Sequence, residues 1–170
     1  MSFGDALRAQ DGTRRATGIG PTDDERAKTL AEATARELRT AHGTDDVSEL
    51  VAAVGVTVRH SEWDGVDGLY LFGTYADSVI TLYDSQLPHL AERLGITASL
   101  AADLVLAHEL GHHALDGHEE ATLGRPTWRQ RLLSWVAGSG HRAFEERAAR
   151  WFALELVGDK LPKDARAALR

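Results

Sequence analysis

The residues whose types and spacing can do chemistry stand together in one short segment, His108-Glu109-Leu110-Gly111-His112. Two histidines four positions apart lie on the same face of a helix, so both imidazoles can reach one tetrahedral metal ion. Glu109 lies beside that pair, where its carboxylate can take a proton from a metal-activated water and later pass it to a leaving amine. The segment therefore predicts a zinc-dependent hydrolase of peptide bonds, with His108 and His112 as ligands and Glu109 as the general base.

The third metal ligand must come from elsewhere, and the sequence leaves three candidates open. Glu146 lies on the apolar face of a predicted downstream helix, where a carboxylate is favoured by a nearby cation. Glu145 has a similar helical phase. His118 stands ten residues after His108, like the third histidine of the HExxHxxGxxH proteases, but Leu115 occupies the glycine position of that pattern. We predict Glu146 as the third ligand, with His118 and Glu145 as alternatives.

The composition restricts the chemistry further. The chain has no cysteine, which excludes thiolate zinc sites, iron–sulfur clusters, thiol catalysis and disulfides. Its formal net charge of −7, from 19 basic and 26 acidic residues, argues against direct binding of nucleic acid, which needs clustered Lys and Arg. No stretch approaches the roughly 18 apolar residues of a membrane span, and the N-terminus lacks the apolar segment of a secretion signal. We therefore expect a cytoplasmic protein without membrane association.

The helices that must position this segment are indicated by hydrophobic spacing and capping residues. A helix is predicted from Thr22 to just before Gly43, followed by a short one over 47–54. Ala98–Leu115 is the strongest helix signal, and it contains the two predicted metal ligands His108 and His112. A short helix or turn is expected at 86–95, and further helices are expected from Pro126 onward and at 142–157.

Between the second helix and the central one, the pattern changes to that of strands. Residues 56–60 alternate like a half-buried strand, and 69–72 and Val79–Tyr83 are two further β-rich runs. Glycines and Asp77-Ser78 separate these runs, so we predict a small antiparallel sheet of about three strands packed on helices, an α+β fold. Residues 1–21 are expected to form a flexible arm, and 22–170 a single domain.

A peptide hydrolase must also hold its substrate extended beside the metal. Pairing the peptide with an exposed sheet edge is a general means of doing so. We predict Val79–Tyr83 as that edge because it precedes the central helix in sequence, with an interior position for this strand as the alternative. A group that stabilises the oxyanion is needed as well, and four candidates stay open: Tyr70, Tyr83, His141 and Arg142.

Taken together, these parts resemble the ImmA/IrrE family of zinc metallopeptidases. The matching parts are a helical N-terminal segment, LVAAVGVTV at 50–58, GVDGLY at 65–70, the strand at 79–82 and AHELGH at 107–112. The helix at 146–156 fits the family pattern E-x-E-A-N-x-F-A-x-x-L, so the resemblance covers residues 24–158. The chain departs from that pattern at Ala148, in place of the second glutamate, and at Arg150, in place of asparagine. If the second glutamate is the family's ligand, this chain must use Glu146 instead.

The resemblance implies a zincin-like fold of the gluzincin kind, with HExxH on the central helix and Zn²⁺ as cofactor. It also implies cytoplasmic cleavage of a specific regulatory protein, such as a helix-turn-helix repressor encoded separately. One alternative is a catalytically weak zinc-binding regulatory or toxin-like interaction module of a two-gene system. Another is a zinc hydrolase of a different bond, because the motif specifies metal and base rather than substrate.

Overall fold

Six helices and a three-stranded sheet make up the residues that the computed structural model describes, which are 21–65, 70–116 and 140–170. In chain order the elements are α1 (Pro21–His42), α2 (Val47–Ala53), β1 (Thr57–Ser61), β2 (Gly73–Ala76), β3 (Val79–Tyr83), α3 (Leu87–Leu94), α4 (Ala98–Leu115), α5 (Gly140–Val157) and α6 (Lys163–Ala168), with a 3-10 turn at Gly158–Lys160 before the last. The predicted α+β class is confirmed. The predicted arm, residues 1–21, lies outside the described residues except for Pro21, which begins α1. The helix predicted from Pro126 also lies outside them. Within those residues, no helix combines the length and apolar character needed to cross a bilayer.

Capping residues account for where the helices begin and end. The side chain of Asp46 accepts a hydrogen bond from the backbone N–H of Glu49 at 2.9 Å, and this cap starts α2. Thr97 caps α4 in the same way, through the N–H of Leu100 at 3.2 Å. Gly43 follows α1 with a φ of +66°, a left-handed conformation that ends helices most easily at glycine. The cap at Thr97 explains why α4 begins at the residue predicted from the sequence.

The strand order of the sheet is β1-β3-β2, which corrects the predicted antiparallel arrangement. β2 pairs antiparallel with β3, but β1 pairs parallel with it, so the sheet is mixed. β3 is consequently the central strand and not the sheet edge predicted for substrate; the edges are β1 and β2. The physical reason is that side-chain alternation specifies which face of a strand is buried, but neither its neighbours nor their direction.

The second strand lies directly after the run 69–72 that was predicted to form it. Asp77 and Ser78 have φ values of +51° and +61°, which is the geometry of a two-residue type I′ hairpin turn. Such a turn sets the register, so Ala76 pairs with Val79 and the residues just before the turn form β2. Gly73, which the sequence pattern suggested as a break, belongs to this strand.

Helix α4 is the centre of the packing. The buried side chains of β3, Ile80 and Leu82, face the core cluster that also contains Leu110 of α4 and Phe152 of α5. Helix α5 packs against both α4 and α1. Arg39 of α1 donates hydrogen bonds to the backbone carbonyls of residues 155 and 156, at 2.7 and 3.2 Å, near the C-terminal end of α5. The two helices that flank the core are thus joined at that end.

Candidate metal centre

One side of α4 faces β2 and another faces α5. The two predicted histidine ligands lie between these two sides of the helix. At about 100° per residue, Glu109 and His113 share one side of the helix, which faces β2. Gly111 lies about 160° from Glu109 and faces α5. His108 and His112 fall between these two sides. The geometry of the helix therefore places both imidazoles between the sheet and α5, in the region that is called the cleft below.

The β2 side of this cleft is held in close contact with the helix. A Cβ atom built on Gly73 would lie 2.6 Å from Cγ1 of Val105 and 3.2 Å from Cγ of Glu109, so only glycine allows this approach. One turn further along α4, the hydroxyl of Tyr75 is hydrogen-bonded to Nδ1 of His113 at 2.7 Å. His113 thus attaches the edge strand β2 to the central helix.

Three side chains from two helices converge in the cleft. Nε2 of His108 lies 3.3 Å from one carboxylate oxygen of Glu146, and Nε2 of His112 lies 3.2 Å from the other. One ligand atom from each residue lies within 4.8 Å of the other two. Ligand atoms bound to zinc at about 2.0–2.1 Å in tetrahedral geometry lie roughly 3.3 Å apart. The spacing of imidazole and carboxylate atoms therefore fits a metal ion held by these three residues.

The electrostatics of this group favour a cation where the three side chains meet. The side chains of His108, His112 and Glu146 are 28%, 19% and 29% exposed. Burial opposes the charged form of His112, but the carboxylate of Glu146, helped by Glu109 and Glu145, outweighs it and raises the His112 pKa to about 9. Burial also opposes ionisation of Glu146, yet the two imidazoles hold its pKa well below the ordinary value. Glu146 is therefore the ionised carboxylate that metal binding requires.

No protein-family model, curated protein or solved structure matches the chain. The chemistry of the site must therefore follow from its own donor atoms. Two imidazole nitrogens and one carboxylate oxygen suit a borderline cation such as Zn²⁺, whereas Mg²⁺ and Ca²⁺ prefer oxygen ligands throughout. The described residues thus contain a His/His/Glu group that can bind a metal ion.

The alternative ligand positions are placed differently. Glu145 is exposed and is not part of the group of three, although its charge reaches His112. Ala148, at the position of the second glutamate in the ImmA/IrrE pattern, is only 1% exposed and packs with Ala27 and Leu115 in a small core cluster. A glutamate there would be buried among apolar side chains. His118 lies outside the described residues.

The candidates for oxyanion stabilisation remain a prediction. The ring of Tyr83 packs against Trp63, with ring centroids 6.2 Å apart, and the ring of Tyr70 stacks on Phe72 at the same distance. His141 and Arg142 stand in the first turn of α5, about one helical turn before Glu146.

One contact beside the site was not visible to reasoning from spacing. Asp24 of α1 accepts a hydrogen bond from Nε1 of Trp151 at 3.1 Å and forms an ion pair with Arg147 at 3.0 Å. Arg147 directly follows Glu146, so this contact orients the helical turn that carries the predicted third ligand. Asp24 and Trp151 are 127 residues apart, so no local pattern in the sequence pointed to this contact.

Gly111 sets the distance between α4 and α5 below the three converging side chains. A Cβ atom built on it would lie 3.0 Å from Cα of Ala149 and 3.2 Å from Cδ1 of Phe152. Because the nearest atom belongs to the backbone, it cannot turn away as a side chain can. The close crossing lets Glu146, three residues before Ala149, reach the two imidazoles.

We expect Gly111→Ala to destabilise the protein and weaken metal binding together. Alanine favours a helix interior over glycine by up to about 1 kcal/mol, but overpacking of a tight contact costs about 1–3 kcal/mol. The expected net result is a lower free energy of unfolding in urea and a lower affinity for Zn²⁺, since α5 must move away from α4. A variant as stable as the wild type with unchanged zinc affinity would show that the close crossing is dispensable.

Proposed function

We propose that this protein is a zinc-dependent metalloendopeptidase of the ImmA/IrrE kind. His108, His112 and Glu146 are its metal ligands, and Glu109 is its general base. One observation carries the proposal: two imidazoles from α4 and the carboxylate of Glu146 converge, and a second carboxylate, that of Glu109, directly follows His108 on α4. Three protein ligands leave one position of a tetrahedral ion open to water or substrate, as in catalytic rather than structural zinc sites.

The chemistry divides between the ion and the side chains. When bound, Zn²⁺ supplies a Lewis acid that polarises a peptide carbonyl and makes water a stronger nucleophile near neutral pH. Glu109 is only 8% exposed and lies against the edge strand, so its carboxylate is held in place beside the ligands. It accepts the proton of the attacking water and delivers it to the nitrogen of the peptide bond as that bond breaks. The products are a new carboxyl terminus and a new amino terminus.

In this proposal the substrate strand is assigned to the edge of β2 that no other described strand pairs with. β3 is interior, and β1 lies on the opposite edge of the sheet. β2 runs beside the helix that carries the ligands, with Gly73 against Glu109 and Tyr75 bonded to His113. An extended peptide that adds to this edge would present its backbone to the cleft. The substrate class we propose is a specific cytoplasmic regulatory protein, such as a separate helix-turn-helix repressor.

Removal of the metal is the first test of this function. The purified protein is expected to contain about one zinc ion per chain, measured by elemental analysis, because the site offers three protein ligands. Incubated with a mixture of unstructured peptides, it should produce new amino termini detectable by mass spectrometry. A chelator should abolish this cleavage, and stoichiometric Zn²⁺ should restore it while Mg²⁺ should not. Cleavage that persists in a chelated, zinc-free sample would contradict the proposal.

A further inference from the structure

A cluster of aromatic and cationic side chains lies just before β2, outside the metal centre. We call it the Arg93 cluster; its members are Tyr70, Phe72, His89 and Arg93. The guanidinium carbon of Arg93, on α3, lies 4.0 Å from the ring centroid of Tyr70. The Tyr70 ring stacks on Phe72 at 6.2 Å and meets the edge of His89 at 5.8 Å. The tyrosine therefore holds the guanidinium in one orientation.

Arg93 lacks a counter-charge among the described residues. Its Nη1 atom is buried without a hydrogen-bond partner, and its contact with Tyr70 is a cation–π contact rather than an ion pair. Two other arginines also have a buried nitrogen without a hydrogen bond, but Arg39 pairs with Asp45 and Arg150 has further interactions. The chain carries 26 acidic residues, yet no described one neutralises Arg93.

A half-buried guanidinium without a carboxylate is an unusual arrangement. Loss of hydration disfavours the charge unless a partner replaces the water. Guanidinium groups bind carboxylates through two parallel N–H···O bonds, and stacking on an aromatic ring leaves the N–H groups at the rim of the guanidinium free for that geometry. Arg93 can therefore bind a carboxylate that none of the described residues supplies.

The position of the cluster connects it to the cleft. Tyr70 precedes Gly73 by three residues, so their Cα atoms are at most about 11 Å apart. Gly73 in turn lies against Glu109. Consider a peptide that runs along β2 with its cleaved bond beside Glu109. A side chain of that peptide about two or three residues from the cleaved bond would lie near Arg93.

We propose that Arg93, held by Tyr70, binds the carboxylate of an Asp or Glu side chain of the peptide, within about three residues of the cleaved bond. This inference rests on the proposed peptidase function. It names a specificity site and a class of substrate, peptides acidic at one position beside the cleavage site.

The test uses a synthetic peptide that the zinc-loaded full-length protein cleaves. Each of its positions is replaced in turn by Glu, Gln or Lys, and kcat/KM is measured for every peptide. At one position, Glu is expected to exceed Gln by roughly 10- to 100-fold, the usual range for a charge-assisted hydrogen bond. The gain should lie mainly in KM, because Arg93 binds substrate without acting on the reacting atoms.

Two variants and a matched control make the expectation specific. Arg93→Gln should abolish the preference for Glu, and Arg93→Glu should replace it by a preference for Lys. Arg59→Glu makes the same charge change at an exposed position of β1 and should leave the preference unchanged. Thermal unfolding of each variant, followed by circular dichroism, shows whether it is folded. If Arg93→Glu does not fold, Arg93→Gln still tests the site, because it removes the positive charge without introducing a negative one.

The outcomes separate this inference from the proposed function. Cleavage without any preference for Glu, or a preference that survives in Arg93→Gln, overturns the Arg93 site and leaves the peptidase proposal standing. If no peptide is cleaved, the peptidase proposal fails. The Arg93 site is then tested by fluorescence anisotropy, which compares the binding of labelled peptides that differ only in Glu or Gln. Tighter binding of the Glu peptide that disappears in Arg93→Gln supports the site, whereas equal binding of both peptides overturns it.

Discussion

Glu146→Gln is expected to lower the affinity for Zn²⁺ by more than about 100-fold, because even an outer-shell partner of a metal ligand typically contributes 10- to 100-fold. The amide has nearly the shape of the carboxylate but no charge. The wild-type carboxylate lies 3.2 and 3.3 Å from the two imidazole nitrogens, and those imidazoles keep its pKa well below the ordinary value. The variant retains the size of the group and removes the electrostatic attraction for the cation.

Zinc content and thermal unfolding measure this effect. In the wild type, zinc at about 1,000 times its Kd should stabilise the fold by roughly 4 kcal/mol, because only the folded chain assembles the site. Glu146→Gln should lose most of that stabilisation. Glu145→Gln is the matched control, since it makes the same change one residue earlier at an exposed position outside the group of three. Full zinc content in Glu146→Gln together with zinc loss in His118→Ala would instead make His118 the third ligand.

Glu109→Gln should nearly abolish peptide cleavage while zinc stays bound. A positioned general acid or base contributes about 10²- to 10⁴-fold to the rate, so kcat should fall by that factor. Because Glu109 is not one of the three side chains that converge, zinc content should remain near one ion per chain. The expected combination, metal retained and turnover lost, differs from that of Glu146→Gln, in which both are lost.

Single-turnover cleavage with excess enzyme measures the Glu109 effect free of substrate affinity. Glu155→Gln provides a control at a half-exposed glutamate on the distant end of α5, where only an ion pair with Arg39 is lost. Unchanged cleavage in Glu109→Gln would remove peptidase chemistry from this site. The function would then be better explained as that of a zinc-binding regulatory or toxin-like module of a two-gene system. Equal binding of the partner by the wild type and by Glu109→Gln would support that alternative.

Local sequence determined the helices well, because their signals lie within a few residues of one another. Ala98–Leu115 begins after its threonine cap and has the predicted bounds. The two histidines of this helix share a face for the same reason, since a spacing of four residues is nearly one turn. The exception is α6 (Lys163–Ala168), which was not predicted. It is only six residues long, too short for a clear hydrophobic period.

Pairing between strands was decided by the tertiary structure. The β-rich run Val79–Tyr83 was predicted with its observed bounds, but its place in the centre of the sheet was not. Parallel pairing with β1 depends on residues more than 20 positions apart, whose contacts leave no local pattern. The turn at Asp77-Ser78 was the one local signal that could have placed β2, because its two left-handed residues require strands on both sides.

At the metal centre the division is sharpest. The sequence by itself determined that His108, Glu109 and His112 lie close together, since a single helix carries all three, and it predicted them as site residues. It could only rank Glu146 above Glu145 as the third ligand, because helical phase scarcely distinguishes neighbouring residues. The tertiary structure brings Glu146 together with the two imidazoles and leaves Glu145 exposed, and the close contact of α5 with Gly111 sets the distance between the two helices. The distance between two helices depends on side-chain volumes at their contact, and no spacing within one helix encodes it.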